Sequence, residues 1–305
     1  MNLSGSTRNL SLEVAMLLQQ IINGLTLGAT YALIALGYTM VYGIIQLINF
    51  AHGDIYMIGA FIGVAAVAIF HQNFFLTLAT AMLACVILGV TIERVAYRPL
   101  RRAPRLNLLI TTIGVSIFLE TFMTVLKGPQ PTGFPTVLKN VTLRVGELEF
   151  SSIQLVILLV SLVLMVGLQI IIKYTKIGKA MRAASEDYDT ASLMGININR
   201  VISFTFAIGS ALAAAGGVLV GIYFNSVSPY MGVTAGLKAF VAAVLGGIGN
   251  IPGAMLGGLL LGLAEVFGVA AGFSTYKDAI AFTLLIIILL VRPTGLLGRP
   301  IQRKV

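Results

Sequence analysis

Three ionisable side chains fall inside long apolar runs: Lys238, Glu265 and Glu120. An uncompensated charge near the middle of a bilayer costs at least ~2.5–3.5 kcal/mol, so each of them needs a partner or a route to water. Counted from the outer ends of the helices that the runs predict, all three sit ~8–10 Å deep at 1.5 Å per residue. Equal depth on separate helices predicts that Lys238 pairs with Glu265 across adjacent spans. The alternative for Lys238 is that its long stem snorkels to the outer interface. Neither arrangement makes a proton relay, which needs titratable groups in series through the membrane rather than at one level.

Other chemistry is sparse. His52 and Asp54, in INFAHGDIYMIGA, lie near the inner end of the second run, but the only other histidine, His71, belongs to the opposite side. A metal needs a compact ligand set, so no metal site is expected. Asn49, His52 or Asp54 instead suits a polar cap for a helix opening at Ile55. The single cysteine, Cys85, sits within an apolar run, which excludes a disulfide framework. There is no Ser-His-Asp set, no paired catalytic carboxylates and no G-x-x-x-x-G-K-[ST], so the chain is read as a non-enzyme without cofactors. Any ATP and Mg it depends on is bound by another polypeptide.

The elements that hold these residues are helices in lipid. With 305 residues, 58% hydrophobic, 10% charged and mean hydropathy +0.98, the chain is far from a soluble domain, where about a quarter of residues are charged. Apolar runs long enough for an α-helix to cross hydrocarbon, without the alternation of barrel strands, predict an all-α polytopic membrane protein forming one domain over residues 1–305. Nine spans are expected, near Val14–Tyr42, Ile55–Phe70, Phe75–Glu93, Asn107–Leu126, Ile153–Ile172, Val201–Phe224, Val233–Leu245, Gly253–Gly272 and Asp278–Val291. The first is long enough to be tilted or broken at Gly37; the seventh is short enough to be a broken helix.

The net charge of +9 belongs to loops rather than to a nucleic-acid surface. Arg94, Arg98, Arg101, Arg102 and Arg105 form one cluster, Lys173, Lys176, Lys179, Arg182 and Arg200 a second, and Arg292, Arg299, Arg303 and Lys304 a third. All three face the cytoplasm by the positive-inside rule, which puts the carboxyl terminus inside, the 127–152 loop outside and the amino terminus outside. The amino-terminal stretch has no small-residue cleavage pattern and is read as retained.

In the outer loop, Val141, Leu143 and Val145 alternate with Thr142 and Arg144, and Gly146-Glu147 separates them from Leu148 and Phe150, the pattern of a small hairpin. It either docks a partner or is an ordinary ordered connection. Glycine pairs four apart (Gly24 and Gly28, Gly59 and Gly63, Gly217 and Gly221, Gly253 and Gly257, Gly258 and Gly262) predict close helix packing. The stretch Gly246 to Gly258, including Gly247 and Gly249, either lines the path or forms a tight turn between spans.

The polar interruption at 174–200 is the largest element on the cytoplasmic side. Ile177, Ala180, Met181, Ala184, Tyr188 and Ala191 keep one helical face, and Lys179, Arg182, Glu186 and Asp189 another, which predicts an amphipathic helix over Ile177–Met194 outside the lipid. Gly195 suits a left-handed cap at its end. The alternative is a helix lying on the lipid surface.

RAASEDYDTASLMGI followed by FTFAIGSALAAAGGVLVG resembles the coupling segment of the bacterial ABC importer permeases for branched-chain amino acids and related substrates. INGLTLGATYALIALGYTMVYGIIQLINFAHGD, IERVAYRPLR, GLKAFVAAVLGGIGNIPGAMLGGLLLGLAE and RPTGLLGRP extend the resemblance over nearly the whole chain. It implies an inner-membrane permease paired with a second homologous permease as a heterodimer, with two cytoplasmic ATPase subunits and a periplasmic solute-binding protein. Arg182, Ala183, Glu186, Asp187, Ala191 and Gly195 fall on the motif that couples to the ATPase. A urea or short-chain amide permease of the same family, and more distantly an ion-coupled secondary transporter, remain as alternatives.

Overall fold

The computed structural model describes residues 3–101, 103–145 and 148–298. Arg102, Arg299, Arg303 and Lys304 of the basic clusters and the expected Gly146-Glu147 turn lie outside these. The helices are α1 (Leu3–Ile45), α2 (His52–Ile69), α3 (Phe74–Ile92, continued by a π-helical turn over Glu93–Tyr97), α4 (Arg105–Lys127), α5 (Ser152–Tyr174), α6 (Lys176–Glu186), α7 (Tyr188–Leu193), α8 (Ile198–Phe224), α9 (Met231–Gly246), α10 (Ile251–Ala270) and α11 (Lys277–Val291). Among the described residues, eight helical segments are long and apolar enough to cross a membrane, and the chain is an all-α polytopic protein.

The expected seventh span is α9, whose 16 residues cover ~24 Å at helical rise. That is short of the ~30 Å of hydrocarbon, so the seventh run is a partial helix rather than a complete crossing. The first run is one unbroken helix: Gly37 does not interrupt α1 but leaves room for the His52 imidazole, which a Cβ at that position would overlap.

α1 is the centre of the molecule, packed against α2, α8, α9 and α10, with Leu33, Ile34, Ala35 and Leu36 wholly buried. Lipid tails are as apolar as leucine, so helices in a bilayer associate through close fit, and small residues permit it. The glycine pairs supply that fit. A Cβ at Gly28 would stand 2.7 Å from the Leu259 Cα, and one at Gly258 2.5 Å from the Ala32 Cα, so α1 and α10 touch backbone to backbone. Gly59 meets Ala214 of α8 in the same manner. Helices α4, α5 and α11 lie at the periphery and turn rows of large apolar side chains outward, among them Leu159, Val163, Leu289 and Leu290.

Helix starts follow local capping chemistry. Ser151 and Gln154 form a capping box on α5; Asn197 and Asn250 accept from the third residue onward of α8 and α10. In the outer loop, β2 (Thr142–Val145) and β3 (Leu148–Ser151) form the expected antiparallel hairpin, Leu143 opposite Phe150. A second ladder was not foreseen: β1 (Thr132–Gly133) pairs with β4 (Ser226–Val227) and anchors Phe134, which is buried beside Gly63 and Gly221.

The major break in a helix lies elsewhere than expected. Gly43 packs on Gly249 in the inner turn, while Gly37 packs on His52; six residues of helix separate these levels, ~9 Å. His52 therefore stands well above the level of the inner turn, and 46–51 is non-helical backbone that climbs to it, with Gln46 in the left-handed region at φ 54°. Such backbone persists only where protein satisfies it. The His52 amide donates to the Asn49 carbonyl, and Tyr97 Oη donates to Asn49 Oδ1 at 2.8 Å. The polar cap expected before Ile55 is thus replaced: α2 opens at His52 after Ala51, which makes no side-chain cap, and Asn49 serves Tyr97 instead.

Candidate functional site

Where α2 begins, α9 begins too. Gly232 and Gly236 of α9 pack on Gly53, and the Asp54 carboxylate, 1% exposed, stands beside Gly232. A carboxylate in the first turn of one helix and against the start of another faces two sets of unpaired N–H groups, the favourable end of each helix dipole. Tyr38 and His52 meet edge to face at 5.0 Å, and Tyr38 meets Phe240 at 6.3 Å, so the middle of the chain is packed solid.

On the outer side of this plug is a cavity of about 290 Å³. Its wall carries the intramembrane charges. Lys238 Nζ lies 2.8 Å from Glu265 Oε1, so the structure brings together the pair expected from depth, and the lysine does not snorkel free of it. Tyr31 Oη donates to Glu265 Oε2 at 2.9 Å, and its ring lies under the Lys238 ammonium at 5.9 Å. Glu120 is not part of this cluster: α4 packs on α2 and the π-helical turn, away from α9 and α10. The third charge is Asp278 at the start of α11, whose Oδ1 is also 2.8 Å from Lys238 Nζ. Asp278 opens the last apolar run, where an acid reads as an interfacial residue, and only its depth relative to Lys238 could have marked it.

Of the glycine stretch, Gly246 and Gly247 serve packing: Gly246 abuts Gly253, and Gly247 lies against Gly295 and Gly298. The segment is a tight turn closed by the following chain, with the Leu296 and Leu297 amides donating to the Leu245 and Gly246 carbonyls. Gly249 alone of the three lines open space, an inner pocket of about 540 Å³ shared with Gln169, Arg182, Ser185 and Asn250.

The polar 174–200 segment is two helices rather than one. Asp187 leaves the helix at φ −158° and caps α7, accepting from the Thr190 amide at 2.8 Å. Its short side chain competes for backbone donors more effectively than helix continuation does. The apolar face folds back: Met181, Ala184 and Ala191 are buried, and Tyr188 is partly buried, which pushes its hydroxyl up to about 12. Arg182 reaches back along the surface, its guanidinium donating to the Ile172 and Lys173 carbonyls at the end of α5. The exposed face carries Lys179, Arg182, Ala183, Glu186 and Asp189 and, at the tip, Leu193 and Met194, exposed at 88% and 80%. Gly195 follows at φ +85°, the left-handed conformation expected of it. Leu193 and Met194 were missed because their spacing places them off the apolar face.

A third feature ties this segment to the membrane. Glu93, wholly buried in the π-helical turn, is ion-paired to Arg101 and accepts from Ser203 Oγ at 2.6 Å. Arg101 also donates to Asn199 Oδ1 at 2.8 Å, at the start of α8. Burial holds the Arg101 guanidinium below its usual range, against the opposing pull of Glu93. Four residues on, Tyr97 reaches the Asn49 break. An arginine read only as a topological marker therefore links the exit of the cytoplasmic segment to the discontinuity before α2.

A family model described as "Branched-chain amino acid transport system / permease component" matches residues 20–289. The high-affinity branched-chain amino acid transport system permease protein LivH of Salmonella typhimurium is 48% identical over 94% of this chain and 97% of its own length. The corresponding protein BraD of Pseudomonas aeruginosa is 48% identical over 96% and 99%. Among solved structures, PsaBC from Streptococcus pneumoniae in complex with Fab covers 93% of this chain at 15% identity and a TM-score of 0.46. With the family model matching residues 20–289 and relatives 48% identical over nearly its full length, the chain belongs to the permease components of the branched-chain amino acid transport systems.

Proposed function

We propose that the chain is the membrane-spanning subunit through which branched-chain amino acids enter the cell in an ATP-driven importer. The observation that supports this most is 48% identity along almost the entire length of permeases named for that transport. In this reading the complex contains a second homologous permease, two cytoplasmic ATPase subunits that bind ATP and Mg, and a periplasmic binding protein, and the carboxyl terminus is cytoplasmic. The elbow α6–α7 is the coupling element: it is polar outward, apolar inward, and braced to α5 through Arg182.

Transport follows alternating access. Closure of the ATPases pushes on α6–α7; Arg101 and Asn199 pass the displacement to α3 and α8, and Tyr97 to the break at Asn49. That break borders the packed centre between the outer cavity and the inner pockets, the place where a small shift exchanges one opening for the other. The test is uptake of labelled leucine and labelled urea by proteoliposomes holding this chain, its partner permease and the ATPases, with binding protein outside and ATP inside. Leucine uptake requiring both ATP and binding protein is expected. Urea uptake in its place, or transport driven by an ion gradient without ATPase, overturns the reading.

A further inference from the structure

We propose that the outer cavity around Lys238 is a subsite that reads the zwitterionic backbone of an amino acid, holding its carboxylate on Lys238 and its ammonium on Asp278. The inference rests on the amino-acid permease reading and names the part of the solute that this chain recognises.

A buried ion pair is weak evidence of stabilisation, because well-packed apolar residues of similar volume are commonly as good or better. Here the pair is placed on the wall of a cavity, and the charges are unequal in freedom. Glu265 is fixed: its side chain is 6% exposed, with one oxygen on Lys238 and the other held by Tyr31. Asp278 is exchangeable: its side chain is 56% exposed, and among the described residues its salt bridge is to Lys238. Lys238 is thus a cation with one permanent and one replaceable carboxylate.

A solute carboxylate that displaces Asp278 from Lys238 restores the bond it breaks, and the freed Asp278 meets the solute ammonium next to it. Every charge remains paired. A solute with only a carboxylate replaces Asp278 on Lys238 and gains nothing beyond the bond it breaks, one with only an ammonium finds Lys238 opposing it, and a neutral amide such as urea displaces nothing. Only the zwitterion adds a second ion pair to the one it exchanges, and this gives the site its selection. The remaining wall is mixed: Leu27, Val220 and Met231 offer an apolar patch for an aliphatic side chain, beside Thr30, Ser226 and a second cation, Lys277. At about 290 Å³ the cavity is at the small end of the ~300–1,000 Å³ range for ligand sites, right for a single amino acid.

Thr234 lines the same cavity, and the one native cysteine, Cys85, is buried, so Thr234→Cys gives a selective thiol inside the site. The experiment is the rate of modification of that thiol by a membrane-impermeant methanethiosulfonate, in the reconstituted complex, with leucine, valine, isocaproate, isoamylamine or urea outside. Leucine and valine at ten times their half-protecting concentration are expected to slow labelling roughly tenfold; the des-amino and des-carboxy analogues and urea are not. Protection is expected to disappear in Lys238→Met and to weaken in Asp278→Asn, whose exposed position leaves the fold intact. Equal protection by isocaproate or isoamylamine, protection that survives both substitutions, or no protection by leucine overturns the subsite. ATP-dependent leucine uptake by the unmodified complex is measured alongside. If uptake proceeds without protection, the subsite alone is wrong; if urea is taken up instead, the proposed function is.

Discussion

Removing Arg101 should damage the protein more than removing the acid it serves. Glu93 has no exposed side-chain surface and Arg101 16%, so Arg101→Met leaves a fully buried carboxylate with only the Ser203 hydroxyl. Breaking a buried pair from one side costs ~3–5 kcal/mol, because the remaining charge is uncompensated. Glu93→Gln keeps a polar group for Ser203 and leaves Arg101 with Asn199 and a path to solvent; its expected loss is nearer ~1.5–3 kcal/mol, that of a charge-assisted hydrogen bond. In the double variant Glu93→Gln with Arg101→Met no charge is stranded, and stability should recover above Arg101→Met alone. The assay is thermal unfolding of the four proteins in detergent, followed by monodispersity on gel filtration and read as a double-mutant cycle. Arg101→Met as stable as the parent, or single-variant losses that simply add in the double, would refute the assignment of Arg101 as the compensating charge. Leucine uptake per ATP hydrolysed should fall in both Met-containing variants, since each cuts the link between Asn199 and the π-helical turn, whether or not stability recovers.

Further outcomes concern the cytoplasmic elbow and the core. Leu193→Asp with Met194→Asp should abolish copurification of the ATPases while changing permease stability by no more than ~0.5 kcal/mol, since both side chains are exposed; retained ATPase binding would move the docking site elsewhere. Gly195→Pro should uncouple ATP hydrolysis from uptake, because φ +85° is closed to proline; normal uptake would show the cap to be dispensable. Gly28→Ala should cost about 1–3 kcal/mol by forcing α1 off α10, and Gly28→Val more, read as loss of monodisperse protein; a well-behaved Gly28→Val would mean the two helices can separate without penalty.

What the amino-acid sequence made legible, and what it hid, divides by the range of the interactions. The spans could be read because hydrophobic length is a local property and the bilayer imposes it on every helix alike. Lys238 and Glu265 could be matched because a charge in lipid demands a partner at its own depth, and depth is counted along each helix separately. The hairpin and the Gly195 cap were equally local. The cytoplasmic helix was half legible: its apolar face was right, but Asp187 sits where that face continues, and periodicity cannot tell a helical aspartate from one that caps the next turn.

The connection before α2 is the instructive case: the apolar pattern ends one span at Tyr42 and opens the next at Ile55 with nothing to mark residues 43–54 as more than a connection, while glycine and proline mark the Gly246–Gly258 stretch instead. In the structure the glycine-rich stretch is packed and well satisfied, whereas 46–51 is non-helical backbone rising from the level of that turn. What permits it is Tyr97, 48 residues away in sequence, reaching back to Asn49. A discontinuity that stays stable only through a distant partner is also one that the partner can release. Tyr97 stands in the same π-helical turn as Glu93, which is ion-paired to Arg101, itself bonded to Asn199 at the start of α8, just after the α6–α7 elbow. The feature least visible in the sequence is therefore the one best placed to move when the cytoplasmic side is pushed.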